Sequence, residues 1–360
     1  MDSRFSIVVA LSGAFAFLGA FSMMTHAQTD GAPPFRFPVD SVSFSNGDIR
    51  LAGAFLKPAG DGQFPAVVIV HGAGHATLGE PAFRVHANAF VQGGFAVLLY
   101  DKRGSGKSTG DLDTSDYDDL AGDLAAGVGY LRTRPDVISH KIGVLGRSEG
   151  GWVGALAASR DSLLAFVILS SGSGVRPSEQ VNYSTKTALR AMGASPQDVE
   201  AAMAAKSAQW EFYRKVTKMG PAGRISAAMQ AERDSLVSRL RSFARFAPQV
   251  PQNVRDPSHT PYAFFEAFTH MIDYDPLPSY RTAKAALLAV VGSKDEVVDP
   301  TSTEALFEQL HKEGRRVSVR ILPDVGHSLL TMTNEGWRYP GDYPEFVVRW
   351  ACTQVYQGEE

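Results

Sequence analysis

Three distant points of this chain carry residue types that together could perform nucleophilic catalysis. The first is Gly146-Arg147-Ser148-Glu149-Gly150-Gly151, which follows the apolar run 142–145 and precedes the helix-forming stretch 152–159. A serine on a tight strand-to-helix turn needs glycines around it, because side chains there would strike neighbouring backbone. A hydroxyl is a weak nucleophile until a base takes its proton. The candidate base is His327, in Asp324-Val325-Gly326-His327-Ser328. Imidazole, with an unperturbed pKa of about 6.5, suits that exchange at neutral pH. Nine histidines occur in the chain, and this one is singled out by its place just after the last apolar strand. The candidate acid is Asp295, in Gly292-Ser293-Lys294-Asp295, with Asp299 as the alternative. A carboxylate there would hold the imidazole's tautomer and stabilise the imidazolium as it forms.

A fourth segment, His71-Gly72-Ala73-Gly74, follows the first long apolar strand. A turn there can aim amides at a developing oxyanion, and the expected pair is the N–H of Ala73 and that of Glu149. One such donor is worth roughly 10²–10³ in turnover. His71 itself reads as a brace for the loop.

These loops need a scaffold. Ala66-Val67-Val68-Ile69-Val70 is a continuous β-branched run, as a strand covered on both faces requires, and residues 95–100, 142–145, 166–169 and 287–291 repeat it. Val317, Val319 and Ile321 alternate with polar residues, which predicts a strand nearer the sheet edge. Helix-length segments, 83–92 and 116–132, lie between the earlier runs. The pattern predicts an α/β fold with a doubly wound, mostly parallel sheet. Ahead of it, alternating residues around Asn46-Gly47 predict a hairpin with both of these positions at positive φ.

The alternation is interrupted over residues 175–281, too long for an ordinary connection. Ser195-Pro196-Gln197-Asp198 reads as an N-cap with proline at the first helical position, opening a helix that runs toward Met219 and ends at Gly220-Pro221. A second helix is expected over about 225–246, and a third apolar segment holds Tyr262, Phe264, Phe265, Phe268 and Met271. This insertion is expected to be a helical cap over the carboxyl edge of the sheet. Trp210, Phe265 and Phe268 are its candidate substrate-binding residues. The expected division is 1–27 signal peptide, 28–40 linker, 41–174 and 282–360 the two parts of the core, and 175–281 the cap.

The four motifs resemble those of the α/β-hydrolase superfamily, particularly its bacterial capped esterases and serine-aminopeptidase-like members. Asp101-Lys102-Arg103-Gly104-Ser105-Gly106-Lys107-Ser108 is similar to the loop after a buried strand in those proteins, and Tyr274-Asp275-Pro276 also looks like that group. The resemblance covers about residues 42–350. It implies the α/β-hydrolase fold, whose strand order places Ser, Asp and His in this sequence order, with Ser148, Asp295 and His327 as the triad. Glu149 after the nucleophile departs from most members, and the cap matches no substrate pattern.

Composition narrows the classes. The chain has 360 residues, 44% hydrophobic and 20% charged, with a net charge of −3: enough for one sizeable core plus a smaller unit, and no basic footprint for nucleic acid. Its one cysteine, Cys352, excludes an internal disulfide, and no Cys/His cluster has zinc spacing, so no metal or organic cofactor is expected. Gly104-Ser105-Gly106-Lys107-Ser108 resembles the end of a phosphate loop, but Asp101 stands where that loop needs a glycine. Residues 5–24 are uncharged and apolar, and Thr25-His26-Ala27 ends in small residues. This predicts a cleaved signal, an exported protein (periplasmic or secreted) and no stable membrane insertion afterwards, with an uncleaved anchor as the alternative.

The leading expectation is a serine hydrolase that cleaves small to medium, partly apolar carboxylic esters. The alternative is an aminopeptidase or thioesterase with the same triad. For an aminopeptidase, Glu200, Glu211, Glu232 and Asp234 would have to supply an amine-binding cluster. A non-catalytic binding protein on this scaffold is the third reading, and the presence of every triad candidate weighs against it.

Overall fold

The structure is a computed structural model and describes residues 34–247, 249–333 and 336–356; the expected signal peptide lies outside them. In chain order the core begins β1 (Asp40–Asn46), β2 (Ile49–Leu56), β3 (Phe64–Val70), α1 (Pro81–Gln92), β4 (Ala96–Tyr100), α2 (Tyr117–Thr133), β5 (Val137–Arg147), α3 (Glu149–Arg160) and β6 (Leu164–Ser170). After an insertion it resumes with β7 (Ala286–Gly292), α9 (Pro300–Lys312) and β8 (Val317–Leu322). A short pair, β9 (Thr331–Thr333) and β10 (Gly336–Arg338), and α10 (Tyr343–Val355) follow. The main sheet has eight strands in the order β1-β2-β4-β3-β5-β6-β7-β8. β1 and β2 are antiparallel to their neighbours, and the ladders from β4 through β8 are parallel.

The β-branched runs exist because both sheet faces are covered. In β3, Ala66, Val68 and Val70 pack with α2 and α3 residues such as Leu124, Val128 and Val153. Val67 and Ile69 point the other way, against Phe83 and Phe90 of α1 and Val347 of α10. β8 is an edge strand, and its alternation reflects its two faces: Val317 and Val319 pack on the α2 and α3 side, while Ser318 on the other face is exposed. The hairpin forms one residue later than expected. Asn46 pairs with Ile49, so the two-residue turn is Gly47-Asp48, and among these residues only Gly47 takes positive φ, at 54°.

The insertion is helical and sits between β6 and β7: α4 (Pro177–Ala191), α5 (Pro196–Met219), α6 (Ala227–Arg241), a 3₁₀ turn (Ala244–Phe246) and α7 (Tyr262–Asp273), with the short α8 (Leu277–Thr282) leading back to the sheet. α5 has the start its sequence predicts, a capping box in which Ser195 and Asp198 satisfy each other's backbone N–H groups. The helix expected over 225–246 stops at Arg241, and the 3₁₀ turn carries Phe246 into the cap core. α4 has no counterpart in the expected helices. Its buried residues, Pro177, Gln180, Thr185 and Leu189, are half polar and the helix is polar on the whole, so its apolar positions were too few to mark it. The cap has its own core, built around Leu189, Ala202, Phe212, Leu240, Phe264 and Phe265.

Lys206 of α5 is fully buried and ties α4 to α5. Its ammonium donates to the Val181 carbonyl at 3.5 Å and to the Thr185 hydroxyl. Burial holds its pKa well below the ordinary lysine value. The folded chain therefore holds this proton less tightly than the unfolded chain does, and stability falls as pH drops below the unfolded lysine value of about 10.4. Lys206→Met is expected to raise the thermal midpoint, with a larger gain at pH 6 than at pH 9. Calorimetry at the two pH values measures this, and a pH-independent difference contradicts it.

Candidate active site

Ser148 is the single residue between the end of β5 and the start of α3, so the chain must change from strand to helix across it. It does so at φ 51°, ψ −118°, a region that costs roughly 1–3 kcal/mol for a residue with a Cβ. Neighbouring backbone holds it there. Its N–H donates to Ser170 O at 2.8 Å, and its carbonyl accepts from Gly151 N at 2.9 Å. The flanking glycines are required by close approach: a Cβ on Gly146 would lie 2.0 Å from Gly150 O, and one on Gly150 would lie 2.6 Å from His71 O.

Three carboxyl-edge loops meet at this turn. Ser148 Oγ lies 3.1 Å from His327 Nε2, and His327 Nδ1 lies 3.1 and 3.0 Å from the two oxygens of Asp295. All three residues are buried. An ionised carboxylate can only accept, so Nδ1 carries the proton and Nε2 is left to accept from the serine hydroxyl. Asp295 Oδ1 also accepts from Val297 N and Val298 N, each at 2.8 Å, which keeps the carboxylate aimed. The alternative acid is otherwise engaged: Asp299 N-caps α9, accepting from Thr301 N at 3.1 Å and the Ser302 hydroxyl at 2.6 Å.

Supports that sequence reasoning missed surround this line. The hydroxyl of Ser171 donates to the His327 carbonyl at 2.8 Å, and Ser171 itself is held at φ 52° by its N–H bond to Val290 O at 2.8 Å. Glu296 Oε2 accepts the His327 N–H at 3.2 Å. From the cap, the Tyr183 hydroxyl donates to the Asp295 carbonyl at 2.9 Å. Ser171 sits in a run of serine and glycine with nothing to distinguish it, and Tyr183 lies on the unmarked helix α4.

The loop after β3 lies against the Ser148 turn: a Cβ on Gly72 would be 3.4 Å from the Cβ of Ser148. Ala73 and Glu149 line one cavity with Ser148. His71 packs edge-on between Phe83 and Tyr100, with centroids 5.0 and 5.3 Å away. Burial, helped by the nearby Lys102 ammonium, lowers its pKa to about 3, so it is a neutral brace. The Asp101–Ser108 segment braces the same edge. Asp101 accepts from Leu78 N at 3.0 Å and Lys107 N at 2.8 Å, and Arg103 grips both oxygens of Asp123 at 2.7 Å.

The cavity encloses about 600 Å³ including its open mouth. Tyr117, Trp152 and Val297 form its core side, Pro177, Gln180, Val181 and Ser184 of α4 one wall, and Phe268, Met271 and Ile272 of α7 the other. Burial, then the Glu149 carboxylate, holds the Tyr117 phenol well above its ordinary pKa, so this hydroxyl stays protonated. Phe268 lines the cavity as expected, but Trp210 and Phe265 do not. Phe265 is fully buried in the cap core against Tyr213, with centroids 5.3 Å apart, and Trp210 is buried on α5 beside Lys206, 5.6 Å from its Nζ. Phe265 thus belongs to the core of the cap, and Trp210 lies against Lys206 of its own helix. Among the described residues, no cluster of three or more His, Cys, Asp or Glu could hold a metal ion, and no helix is long and apolar enough to cross a membrane.

Comparison with known proteins places this geometry. The family model described as serine aminopeptidase, S33, matches residues 63–334. Esterase EstD of Thermotoga maritima is 30% identical over 163 residues, 43% of this chain and 39% of that protein. Acyl-coenzyme A thioesterase 1 of Mus musculus is 26% identical over 38% of this chain and 31% of that protein. The matches thus span less than half the length of these two curated relatives. Among solved structures, the Pyrococcus furiosus esterase Pf2001 superposes with a TM-score of 0.54 at 19% identity, covering 89% of this chain and 92% of that one. Est1E of Butyrivibrio proteoclasticus, solved with ferulic acid, gives 0.52 at 15% identity, covering 86% and 96%. At these identities the superpositions show the α/β-hydrolase fold.

The two aspartates make opposite predictions. Asp295→Asn should slow labelling of Ser148 by a fluorophosphonate probe by about 10⁴-fold, since the amide favours the wrong tautomer. Asp299→Ala should leave labelling nearly unchanged and lower stability by about 1 kcal/mol, as the loss of an N-cap does. Labelling rates and thermal melts of the two variants measure both.

Proposed function

The chain belongs to the serine aminopeptidase family, S33, of α/β-hydrolases, and we propose that it hydrolyses carboxylic esters through an acyl-enzyme on Ser148. The observation that carries this reading is the unbroken line from Ser148 Oγ to His327 Nε2 at 3.1 Å and from His327 Nδ1 to Asp295 at 3.0 Å, on a turn strained toward the cavity. Ser148 Oγ adds to the ester carbonyl carbon as its proton passes to His327 Nε2. The carbonyl electron pair moves onto oxygen, facing the N–H groups of Ala73 and Glu149. Collapse of the tetrahedral species expels the alcohol, which takes the proton from His327. A water then repeats the sequence against the acyl carbon, releasing the acid and restoring the serine. Asp295 stays ionised throughout and stabilises each imidazolium.

The cavity supports an ester over an aminoacyl substrate. A free amine would need an uncommitted carboxylate. The one carboxylate among the lining residues, Glu149, is 2.6 Å from the Lys102 ammonium. None of the four acidic cap residues lines the cavity: Glu211 pairs with Arg214 at 2.7 Å, Glu232 with Lys215 at 2.6 Å and Asp234 with Arg233 at 3.0 Å, and Glu200 is exposed. The walls of Val181, Phe268, Met271, Ile272 and Trp152 suit a small to medium apolar acyl or alcohol group. Export, with the enzyme periplasmic or secreted, is part of the proposal and rests on the apolar run 5–24.

Ser148→Ala is expected to lower ester turnover by about 10⁶-fold while the protein stays folded. The assay is a panel of nitrophenyl esters of increasing acyl length, matched thioesters and aminoacyl anilides. Turnover retained in this variant ends the reading, and anilides outrunning esters would move the activity to peptides. On the same panel, Phe268→Ala should shift the preferred acyl group to a longer one, because it removes a ring from the cavity wall.

A further inference from the structure

Glu149 follows the nucleophile and opens α3, yet its side chain is only 3% exposed and turns back into the protein. There its Oε1 meets Lys102 Nζ at 2.6 Å. The same ammonium donates to the carbonyl of Gly72 at 3.0 Å. Lys102 is itself 5% exposed, and its backbone N–H is fixed to Ala76 O at 3.1 Å. One buried cation thus bonds to both segments expected to supply the oxyanion amides, and Ala73 and Glu149 of those segments line the cavity with Ser148.

The consequence follows from peptide geometry. Across a trans peptide unit the C=O of one residue and the N–H of the next point in opposite directions. Drawing the Gly72 oxygen onto Lys102 therefore directs the Ala73 N–H the other way, and Ala73 lines the cavity with Ser148. The Glu149 carboxylate, in turn, anchors the peptide that carries the second N–H. Left unpaired, that carboxylate would set a negative charge beside a forming oxyanion; paired, it is neutralised within hydrogen-bond reach.

We propose that Lys102 is a positioning residue for the oxyanion hole, clamping the Gly72–Ala73 peptide and Glu149 in one geometry and cancelling the charge of Glu149. This rests on Ser148 acting as the nucleophile. An oxyanion exists only after attack, so the clamp acts on turnover and not on ground-state binding.

The test uses the full chain and four forms: wild type, Lys102→Met, Glu149→Gln, and the two changes together. Lys102→Met is expected to lower kcat by about 10²-fold, the scale of one lost oxyanion donor, with KM changed less than threefold. An aryl trifluoromethyl ketone, which takes Ser148 Oγ at its carbonyl carbon and leaves the charge on oxygen, should lose affinity by the same factor. The double variant leaves no buried charge unpaired and so guards against a single variant that fails to fold. Its kcat should lie well below that of Glu149→Gln, which keeps the Gly72 tether. Folded variants with wild-type kcat and unchanged ketone affinity overturn the clamp, as does a loss confined to KM. If these occur while Ser148→Ala is inactive, the clamp alone is wrong. An active Ser148→Ala removes the nucleophile itself.

Discussion

The whole site depends on one residue adopting a backbone conformation that its own chemistry disfavours. Ser148 is held at positive φ at the point where β5 becomes α3, and nothing within the turn would keep it there. What keeps it there is the surrounding structure: the ladder bond to Ser170 at the end of β6, the first turn of α3, which leaves room only for glycine at 146, and the end of β3 with its loop, which leaves room only for glycine at 150. Strain of this kind persists only where neighbours over-determine the geometry. The covered sheet and its two layers of helices provide that, and they push the hydroxyl out over the carboxyl edge, where the loops carrying His327 and Asp295 also end.

Much of this was legible in the chain because the pattern and the physics coincide. Buried parallel strands must be apolar on both faces, so residues 66–70 and 287–291 announced themselves. The Gly-x-Ser-x-Gly turn was readable because steric exclusion leaves no other residue type there. What escaped has equally definite causes. The residue that closes the hairpin shifted by one, since a register of this kind is set by pairing along both strands and not by the dipeptide alone. The helix α4 mixes Gln180 and Ser184 with Pro177 and Val181 on its cavity wall and is polar on the whole, so its few apolar positions did not stand out. Asp295 and Asp299 follow the same strand, and only coordinates separate the one facing His327 from the one capping α9. Aromatic content, finally, could not distinguish Phe268 on the cavity wall from Phe265 in the cap core, because a three-residue offset on one helix carries no chemical label.

The cap is a small folded unit with a core separate from the two that sandwich the sheet. Its contribution to the site is a pair of helix faces, α4 and α7, that turn an open serine into a partly enclosed cavity. Enclosure matters electrostatically as well as sterically. Excluding water raises the strength of every hydrogen bond aimed at the serine, the imidazole and their charges.

The hydroxyl of Tyr183 reaches from α4 to the backbone of Asp295 and joins these two parts of the molecule. One phenol thus sets the spacing between a wall of the cavity and the loop that carries the acid. The surface a bound molecule would lie against and the carboxylate that orients the imidazole are therefore moored to each other, although one belongs to the insertion and the other to the sheet.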